Sequence, residues 1–210
     1  MANPCQRLSE PADRLEQTRH VAAAVRGRAW RPDQPPVMVP YRLINMQIRP
    51  ECPEDAAAIG ILTDAAFKDV PHSDQTEAKI VEALRTAQAL TISLVAVQDG
   101  EVVGHVAFSP VRINGVAGDW YGLGPVSVRP GQQRAGIGHA LIRDGLHRLR
   151  SAGAAGCVVL GDPAYYGRFG FEYDPQLHYG DAPPGYFRRL TLSGSPPKGE
   201  VTYHPAFEAS

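Results

Sequence analysis

A segment in the middle of the chain combines residues suited to holding a phosphate-bearing ligand. Residues 126–141 read VSVRPGQQRAGIGHAL, which predicts a strand, a loop and then a helix that begins near Gly136 and Gly138. Glycines at such a place let a ligand approach the backbone closely. The first turn of a helix presents unpaired N–H groups and the positive end of the helix dipole, which together attract phosphate. The side chain of Arg134 would add a positive charge beside this turn.

Two other phosphate-binding motifs fit this segment poorly. A dinucleotide-binding turn has a third glycine, where this chain has Leu141, and belongs to a βαβ unit, whereas the strands before this segment are predicted to be antiparallel. A P-loop ends in Gly-Lys-Ser or Gly-Lys-Thr, and no such sequence follows here.

The strands that lead to this turn are predicted from two hairpin signals. Asp99-Gly100 and Asn114-Gly115 are preferred two-residue hairpin turns, because both central residues need a positive φ angle. They separate three strand-like stretches, which predicts an antiparallel meander of residues 91–98, 101–113 and 116–128.

The elements around the meander predict a mixed α/β chain. Apolar residues at helical spacing predict a helix over 136–150, and a short apolar run predicts a buried strand over 157–160. Strand, helix and strand joined by short loops imply a parallel pair with a right-handed crossover. A strand is predicted over 46–49, with a helix opening at Pro53. The remaining predictions are a helix starting near Ser73, with Asp74 and Glu77 as its capping box, and two tail strands over 188–192 and 200–203.

The segment resembles motif A of the GNAT superfamily of acyl-CoA-dependent N-acetyltransferases. That motif, Gln/Arg-x-x-Gly-x-Gly/Ala at the start of a helix, is matched by residues 133–138, QRAGIG. The family's preceding strand and proline are matched by residues 126–130, VSVRP. A later family motif, a Tyr five residues before a Phe that follows a Gly, is matched by residues 166–171, YGRFGF. The resemblance covers residues 46–171 firmly and the tail loosely.

The resemblance implies a fold and a cofactor site. The fold would be α+β, with a central, mostly antiparallel sheet, one splayed parallel strand pair and helices on both faces. Acetyl-CoA would lie with its pyrophosphate on the turn and its pantetheine beside the preceding strand, and no metal is expected. The residues implied to bind it are Val126, Ser127, Val128, Gln133, Arg134, Ala135, Gly136, Ile137, Gly138 and His139, the last through its amide alone.

The resemblance also implies a mechanism, in which a primary amine of a small molecule or peptide attacks the thioester directly in a ternary complex. A main-chain N–H near Val126 or Ser127 would polarise the carbonyl, and Tyr166 would protonate the leaving thiolate. Neighbouring Tyr165 is expected to point elsewhere. The base is sought in His105 or Asp119. Three structural alternatives stay open: Tyr166 would be a packing aromatic, His105 a hydrogen-bonded structural histidine, and Asp119 a solvated residue at a strand end.

Other residues carry less information about the site. Cys157 is expected to be a small buried apolar side chain. Trp120 and Tyr121 fit an acceptor pocket and core packing equally well. An acyl-CoA-binding regulatory or sensor module without significant catalysis is the alternative function.

Composition excludes some partners. The chain has 210 residues, with 21 basic and 22 acidic side chains and a net charge of −1, which argues against a main role in coating nucleic acid or an anionic membrane. The absence of a long apolar run or a signal-peptide core predicts a cytoplasmic protein, expected to be a monomer or homodimer.

The chain is predicted to divide into two parts. Residues 1–45 would be an N-terminal extension that ends in a proline-rich linker, and residues 46–210 the acetyltransferase domain. The extension is expected to be loosely attached. The alternatives are that Met46 is the natural start, or that the extension covers the active site or docks on a partner.

Overall fold

A computed structural model of the chain describes residues 46–71 and 73–208. The predicted extension over 1–45, its helix and its linker lie outside the described residues. The helices and strands are, in chain order, β1 Met46–Pro50, α1 Ala56–Phe67, α2 Glu77–Thr86, β2 Ile92–Gln98, β3 Glu101–Ile113, β4 Val116–Val128, α3 Ile137–Ser151, β5 Gly156–Leu160, α4 Pro163–Tyr166, β6 Leu177–His178, β7 Phe187–Thr191 and β8 Gly199–Thr202. Short 3₁₀ turns lie at Pro53–Asp55, Gly167–Phe169 and Pro205–Glu208.

The strands form one mixed sheet in the order β1-β2-β3-β4-β5-β7. Along this path every pair is antiparallel except β4–β5, which is parallel. Strand β8 pairs with the far end of β3, and β6 lies parallel to β8. The predicted α+β class, the meander and the single parallel crossover pair along the main path are confirmed.

Both hairpin turns have the backbone that their sequences predict. The φ angles are 51° and 85° at Asp99 and Gly100, and 51° and 75° at Asn114 and Gly115. The second turn also holds the tail, because the Asn114 side chain accepts from Glu200 N at 3.0 Å and donates to Lys198 O at 3.0 Å. A local turn signal therefore places strand β8, which is more than 80 residues further along the chain.

Alternating side chains of the sheet pack against helices on its two faces. On one face, Leu94 and Phe108 belong to the main buried cluster with Leu141 and Ile142 of α3. On the other face, Val95 and Val97 of β2 pack with Ile59 of α1 and Val81 of α2. This period-two alternation is what a strand buried on both sides requires.

Helix α3 lies very close to the sheet at Gly145. A methyl group placed on Gly145 would come 2.2 Å from Cε2 of Phe108, whose ring is fully buried. The glycine is therefore needed for close approach of helix and strand.

Some local predictions are wrong. The Asp74–Glu77 capping box does not form, because α2 begins at Glu77 and Thr76 makes no side-chain cap. The Ser73 hydroxyl instead bonds Glu77 Oε1 at 2.7 Å, so the preceding residues form a turn. The short α4 and β6 were not predicted, while the tail strands are each displaced by one residue from the ranges expected.

Within the described ranges, no helix is both long and apolar enough to cross a membrane.

Candidate active site

The central feature of the site is the edge of β4 that β5 leaves unpaired. β5 pairs with β4 only at Trp120, Tyr121 and Gly122, although β4 continues to Val128. Just beyond this pairing, the β3–β4 register shifts by one extra residue of β4, between Leu123 and Val126. A bulge of this kind bends the strand and redirects its groups. The β4–β5 pairing thus ends early and leaves β4 with an unpaired edge over residues 123–128, and we call the space beside this edge the cleft.

The first turn of α3 lies beside Val126 and Val128 of this edge, and its backbone has features that suit an anion. Gly136 is the N-cap with φ 91°, and Arg134 two residues before it has φ 63°. No side chain caps the helix, and no acidic residue lies in its first turn. Left-handed residues next to helical ones turn successive N–H groups toward one point, and the helix dipole adds positive potential there. The predicted phosphate-binding turn has the geometry for that task.

The three strand residues implied by the resemblance face different ways. Val126 and Val128 are half-buried, and a methyl group on Gly138 would lie 3.9 Å and 3.5 Å from their side chains. The Ser127 side chain is fully buried on the opposite face, where its hydroxyl donates to Thr63 Oγ1 at 3.0 Å. Ser127 therefore offers only its main chain to the α3 side of the strand.

Tyr166 lies at the end of α4, directly after β5. Asp162 caps this short helix by accepting from Ala164 N at 2.9 Å. The Tyr166 ring rests on Gly161, where an added methyl group would come 2.3 Å from the ring. Burial raises the pKa of Tyr166 well above its ordinary value, and Tyr165, Cys157 and Asp162 raise it further. The hydroxyl is thus held in its protonated form, as a proton donor must be.

The Tyr165 ring packs edge-on against the Tyr166 ring, with the ring centroids 5.1 Å apart, and its hydroxyl lies beside the first turn of α3. The two rings are nearly perpendicular at 83°. A methyl group on Gly138 would lie 3.2 Å from the Tyr165 hydroxyl. Tyr165 therefore links α4 to the first turn of α3, a role that sequence reasoning missed.

His105 is fully buried on β3, under α1 and α2. Its Nε2 lies 2.8 Å from the Ser93 hydroxyl and 3.7 Å from Glu51 Oε2, while its Nδ1 has no hydrogen-bond partner among the described residues. Burial lowers the pKa of His105, which keeps the imidazole neutral. Ser127 of β4 stands directly opposite, so His105 is one strand away from the cleft.

The residues that hold His105 were not predicted. Glu51 accepts two hydrogen bonds from Arg85, at 2.9 Å and 3.1 Å, and a third from the Ser93 hydroxyl at 2.6 Å. Burial raises the pKa of Glu51, but the nearby His105 and the hydrogen bonds from Arg85 and Ser93 outweigh it, and the result is about 2. Glu51 is therefore ionised. In the sequence, Arg85 follows Glu51 by 34 positions and Ser93 follows it by 42, so the three residues form no local motif.

Tyr203 is a further residue that sequence reasoning missed. Its ring packs against Gly122, where β4 and β5 make their last pair, and a methyl group there would come 2.4 Å from it. Burial raises the pKa of Tyr203, and Cys157, Tyr179 and Tyr166 add to this. A tail residue thus reaches the point at which the cleft opens.

The remaining candidates have structural surroundings. Cys157 is fully buried and its pKa is raised by burial, as expected of a small apolar side chain. Asp119 is exposed, and its carbonyl accepts from Ala155 N. Trp120 is buried in the second core cluster, and the His139 ring stacks 4.7 Å from that of Phe169. Among the described residues, no group of three His, Cys, Asp or Glu could hold a metal ion.

Comparison with known proteins identifies the family. The sequence profile of the acetyltransferase (GNAT) domain matches residues 47–173. The chain therefore belongs to the GNAT acetyltransferases, and its class of enzyme is acyltransferase.

Relatives with this fold come from several bacteria. The uncharacterized N-acetyltransferase YhbS of Escherichia coli K12 is 43% identical over 128 residues, which are 60% of this chain and 74% of that protein. A GNAT family acetyltransferase from Brucella melitensis, solved in complex with acetyl-CoA, is 54% identical, with a TM-score of 0.70 over 77% of this chain and 97% of that one. The structure of YhbS from Escherichia coli, solved in complex with CoA, is 36% identical, with a TM-score of 0.71 over 78% of this chain and 92% of that one.

Proposed function

We propose that this chain is an N-acetyltransferase that transfers an acetyl group from acetyl-CoA to a primary amine of a small molecule or peptide. The observation that carries the proposal is the edge of β4 that β5 leaves unpaired, with the first turn of α3 beside it, where no side-chain cap and no acidic residue lie. Two relatives of the same fold were solved with acetyl-CoA or CoA. The acceptor enters a ternary complex and attacks the thioester directly.

The residues proposed to hold the acetyl donor fall into two groups. Main-chain N–H groups of the turn and the Arg134 guanidinium would receive the pyrophosphate, since successive amides and a helix N-terminus favour anions. The half-buried Val126 and Val128 would contact the pantetheine, with the Ser127 main chain between them. The turn residues proposed are Gln133, Arg134, Ala135, Gly136, Ile137, Gly138 and His139.

The chemistry is proposed to use two groups at the end of the cleft. Acetyl-CoA supplies an activated thioester whose carbonyl carbon is attacked by the amine. A main-chain N–H at Val126 or Ser127, next to the bulge, would stabilise the oxyanion by roughly 3 kcal/mol, a usual value for one such donor. Tyr166 would give its proton to the departing thiolate.

His105 is proposed as the group that takes a proton from the incoming ammonium. A neutral imidazole with one unpartnered nitrogen can accept a proton. Because His105 is buried one strand away from the cleft, the proton would pass through an intervening hydroxyl or water.

The test is thiol release from acetyl-CoA across a panel of amines and peptides, with wild type, Tyr166→Phe and the exposed control Tyr173→Phe. We expect Tyr166→Phe to lower kcat by 10²- to 10⁴-fold, the usual contribution of general acid catalysis. Its affinity for CoA, measured by calorimetry, should match that of wild type, and the control should turn over normally.

An acyl-CoA-binding module without catalysis is the second candidate, and the burial of His105 favours it, because this candidate base is not exposed to an entering acceptor. Tight CoA binding without turnover of any amine would support the module over the enzyme. An absence of CoA binding would contradict both.

A further inference from the structure

The orientation of His105 follows from a chain of hydrogen bonds whose directions can be counted. The Ser93 hydroxyl lies between Glu51 Oε2, at 2.6 Å, and His105 Nε2, at 2.8 Å. A hydroxyl has one proton to donate and lone pairs with which it accepts. One neighbour of Ser93 must therefore receive that proton, and the other must donate to the oxygen.

Glu51 determines which neighbour of Ser93 receives the hydroxyl proton and which one donates to the oxygen. Two hydrogen bonds from Arg85 hold it as a carboxylate, and a carboxylate only accepts. At 2.6 Å, two acceptors without a proton between them would repel each other, so the Ser93 proton points to Glu51. The Ser93 oxygen must then accept from His105, which places a proton on Nε2.

A neutral imidazole carries one proton, so Nδ1 is left with a bare lone pair. That nitrogen is fully buried and has no hydrogen-bond partner within the described residues. Nδ1 therefore keeps a lone pair that can accept a proton.

We infer that Arg85, Glu51 and Ser93 are positioning residues that hold His105 as the Nε2–H tautomer and so make Nδ1 the basic nitrogen of the site. The inference rests on the proposed acetyl transfer and deepens it. A proton leaving the acceptor ammonium reaches Nδ1 through an intervening hydroxyl or water, and the amine becomes neutral. The Nε2 proton stays bonded to Ser93, and the Glu51 carboxylate, 3.7 Å from Nε2, stabilises the imidazolium.

The charged groups around His105 set the sign of the pH effect. Burial and Arg85 lower the pKa of His105, whereas Glu51 and Asp55 raise it. Replacing Glu51 by Gln would remove the stronger of the two carboxylates that favour the imidazolium. The acid limb of kcat/KM, which reports the base in the free enzyme, should then move to lower pH.

The first experiment reads the tautomer without any need for turnover. In the full chain with ¹⁵N-labelled histidine, long-range ¹H–¹⁵N spectra separate protonated from bare ring nitrogens, and His105→Gln assigns the signal. We expect a protonated Nε2 and a bare Nδ1 at neutral pH. A protonated Nδ1 in the wild type would overturn the inference.

The second experiment uses serine variants. Ser93→Ala should mix the two tautomers and lower kcat roughly tenfold or more, the value of a hydrogen bond to a charged group, with KM for acetyl-CoA unchanged. Ser93→Thr keeps the hydroxyl and should restore both readouts. Ser109→Ala is the matched control, because Ser109 is a fully buried serine of β3 whose hydroxyl has no partner among the described residues.

The outcomes separate this inference from the proposed function. If the wild type turns over amines and folded Ser93→Ala keeps the wild-type kcat and pH profile, the positioning role is wrong. If no amine is turned over but the Nε2–H tautomer is found and Ser93→Ala loses it, the proposed function fails while the tautomer assignment stands.

Discussion

The position of the Tyr166 hydroxyl depends on a residue with no side chain. The ring rests on Gly161, and both follow directly from the end of β5. Because of this contact, Tyr166, the proposed proton donor, can be displaced without altering any polar group.

Gly161→Ala should therefore lower kcat while leaving CoA affinity near the wild-type value. The added methyl group would come 2.3 Å from the Tyr166 ring, which must move by a large part of an ångström. Displacements of about 1 Å at a catalytic group can cost on the order of 10²-fold. Steady-state kinetics and calorimetry measure the two quantities. Gly167→Ala, where a methyl group meets nothing within 4 Å, is the control, and equal kcat in both variants would contradict the assignment.

Glu51 should make the stability of the protein depend on acid. Its pKa falls from 4.5 to about 2 in the folded chain. A group whose pKa is depressed on folding stabilises the protein above the unfolded value and loses that contribution as pH falls toward the folded value. The whole shift is worth roughly 3 kcal/mol at most, at 1.36 kcal/mol for each pKa unit.

We therefore expect Glu51→Gln to be less stable than wild type at pH 7, and the gap to shrink between about pH 5 and pH 2. Urea unfolding at a series of pH values measures this gap. Glu101→Gln, at an exposed ion pair, is the control. A constant gap over that range would show that the carboxylate's charge is not what stabilises the fold.

The candidate site residues differ in whether the adjacent sequence is enough to predict their positions. Gly136, Gly138 and Tyr166 stand in short motifs that resemble those of the GNAT superfamily, so their positions were predicted from the adjacent sequence. Glu51 and Ser93 act only through contacts with residues far along the chain, and nothing in their local sequence marks them. Their assignment required the fold.

At the scale of elements, the packing of α3 on the sheet has little tolerance. Gly145 touches the ring of Phe108 so closely that a methyl group would lie 2.2 Å from it. The turn proposed to bind the pyrophosphate lies at the N-terminus of α3, so the seating of this helix on the sheet also sets where that turn lies.

Gly145→Ala should destabilise the protein by about 1–2 kcal/mol, because overpacking costs 1–3 kcal/mol and alanine's helix propensity returns part of it. Phe108→Leu in the same chain should relieve the overlap. A double-mutant cycle by urea unfolding measures the coupling between the two positions. Simple additivity of the two single changes would contradict the contact.

Predictions of elements succeeded where one local signal dominated. Asp-Gly and Asn-Gly located the two turns inside the meander, and regular apolar spacing located α3. The predicted Asp74–Glu77 capping box failed because the helix begins only at Glu77, whose side chain accepts from the Ser73 hydroxyl. Strand β6 was missed because it forms only by pairing with β8 further along the chain, which no local window contains.

At the scale of the whole molecule, the net charge of −1 does not prevent an anion site. Backbone amides and a helix N-terminus provide local positive potential without a basic surface. Contacts of the turn with the pyrophosphate should therefore contribute most of the binding free energy of CoA.

We expect CoA to raise the melting temperature, with a stabilisation of about 2.7 kcal/mol when its concentration is 100 times the Kd. Pantetheine, which lacks the pyrophosphate, should give a much smaller shift at the same concentration. Differential scanning fluorimetry compares the two. Equal shifts would show that the turn before α3 does not hold the phosphates.

The two-hairpin meander also has a consequence for how the protein folds. Strands β2, β3 and β4 are joined by two-residue turns, so their contacts are local and close at little entropic cost. Strands β5, β7 and β8 join them only after longer stretches of chain have been ordered. We expect pulse-labelled hydrogen exchange to protect the meander first, so the cleft would form at the boundary between its early- and late-folding sides.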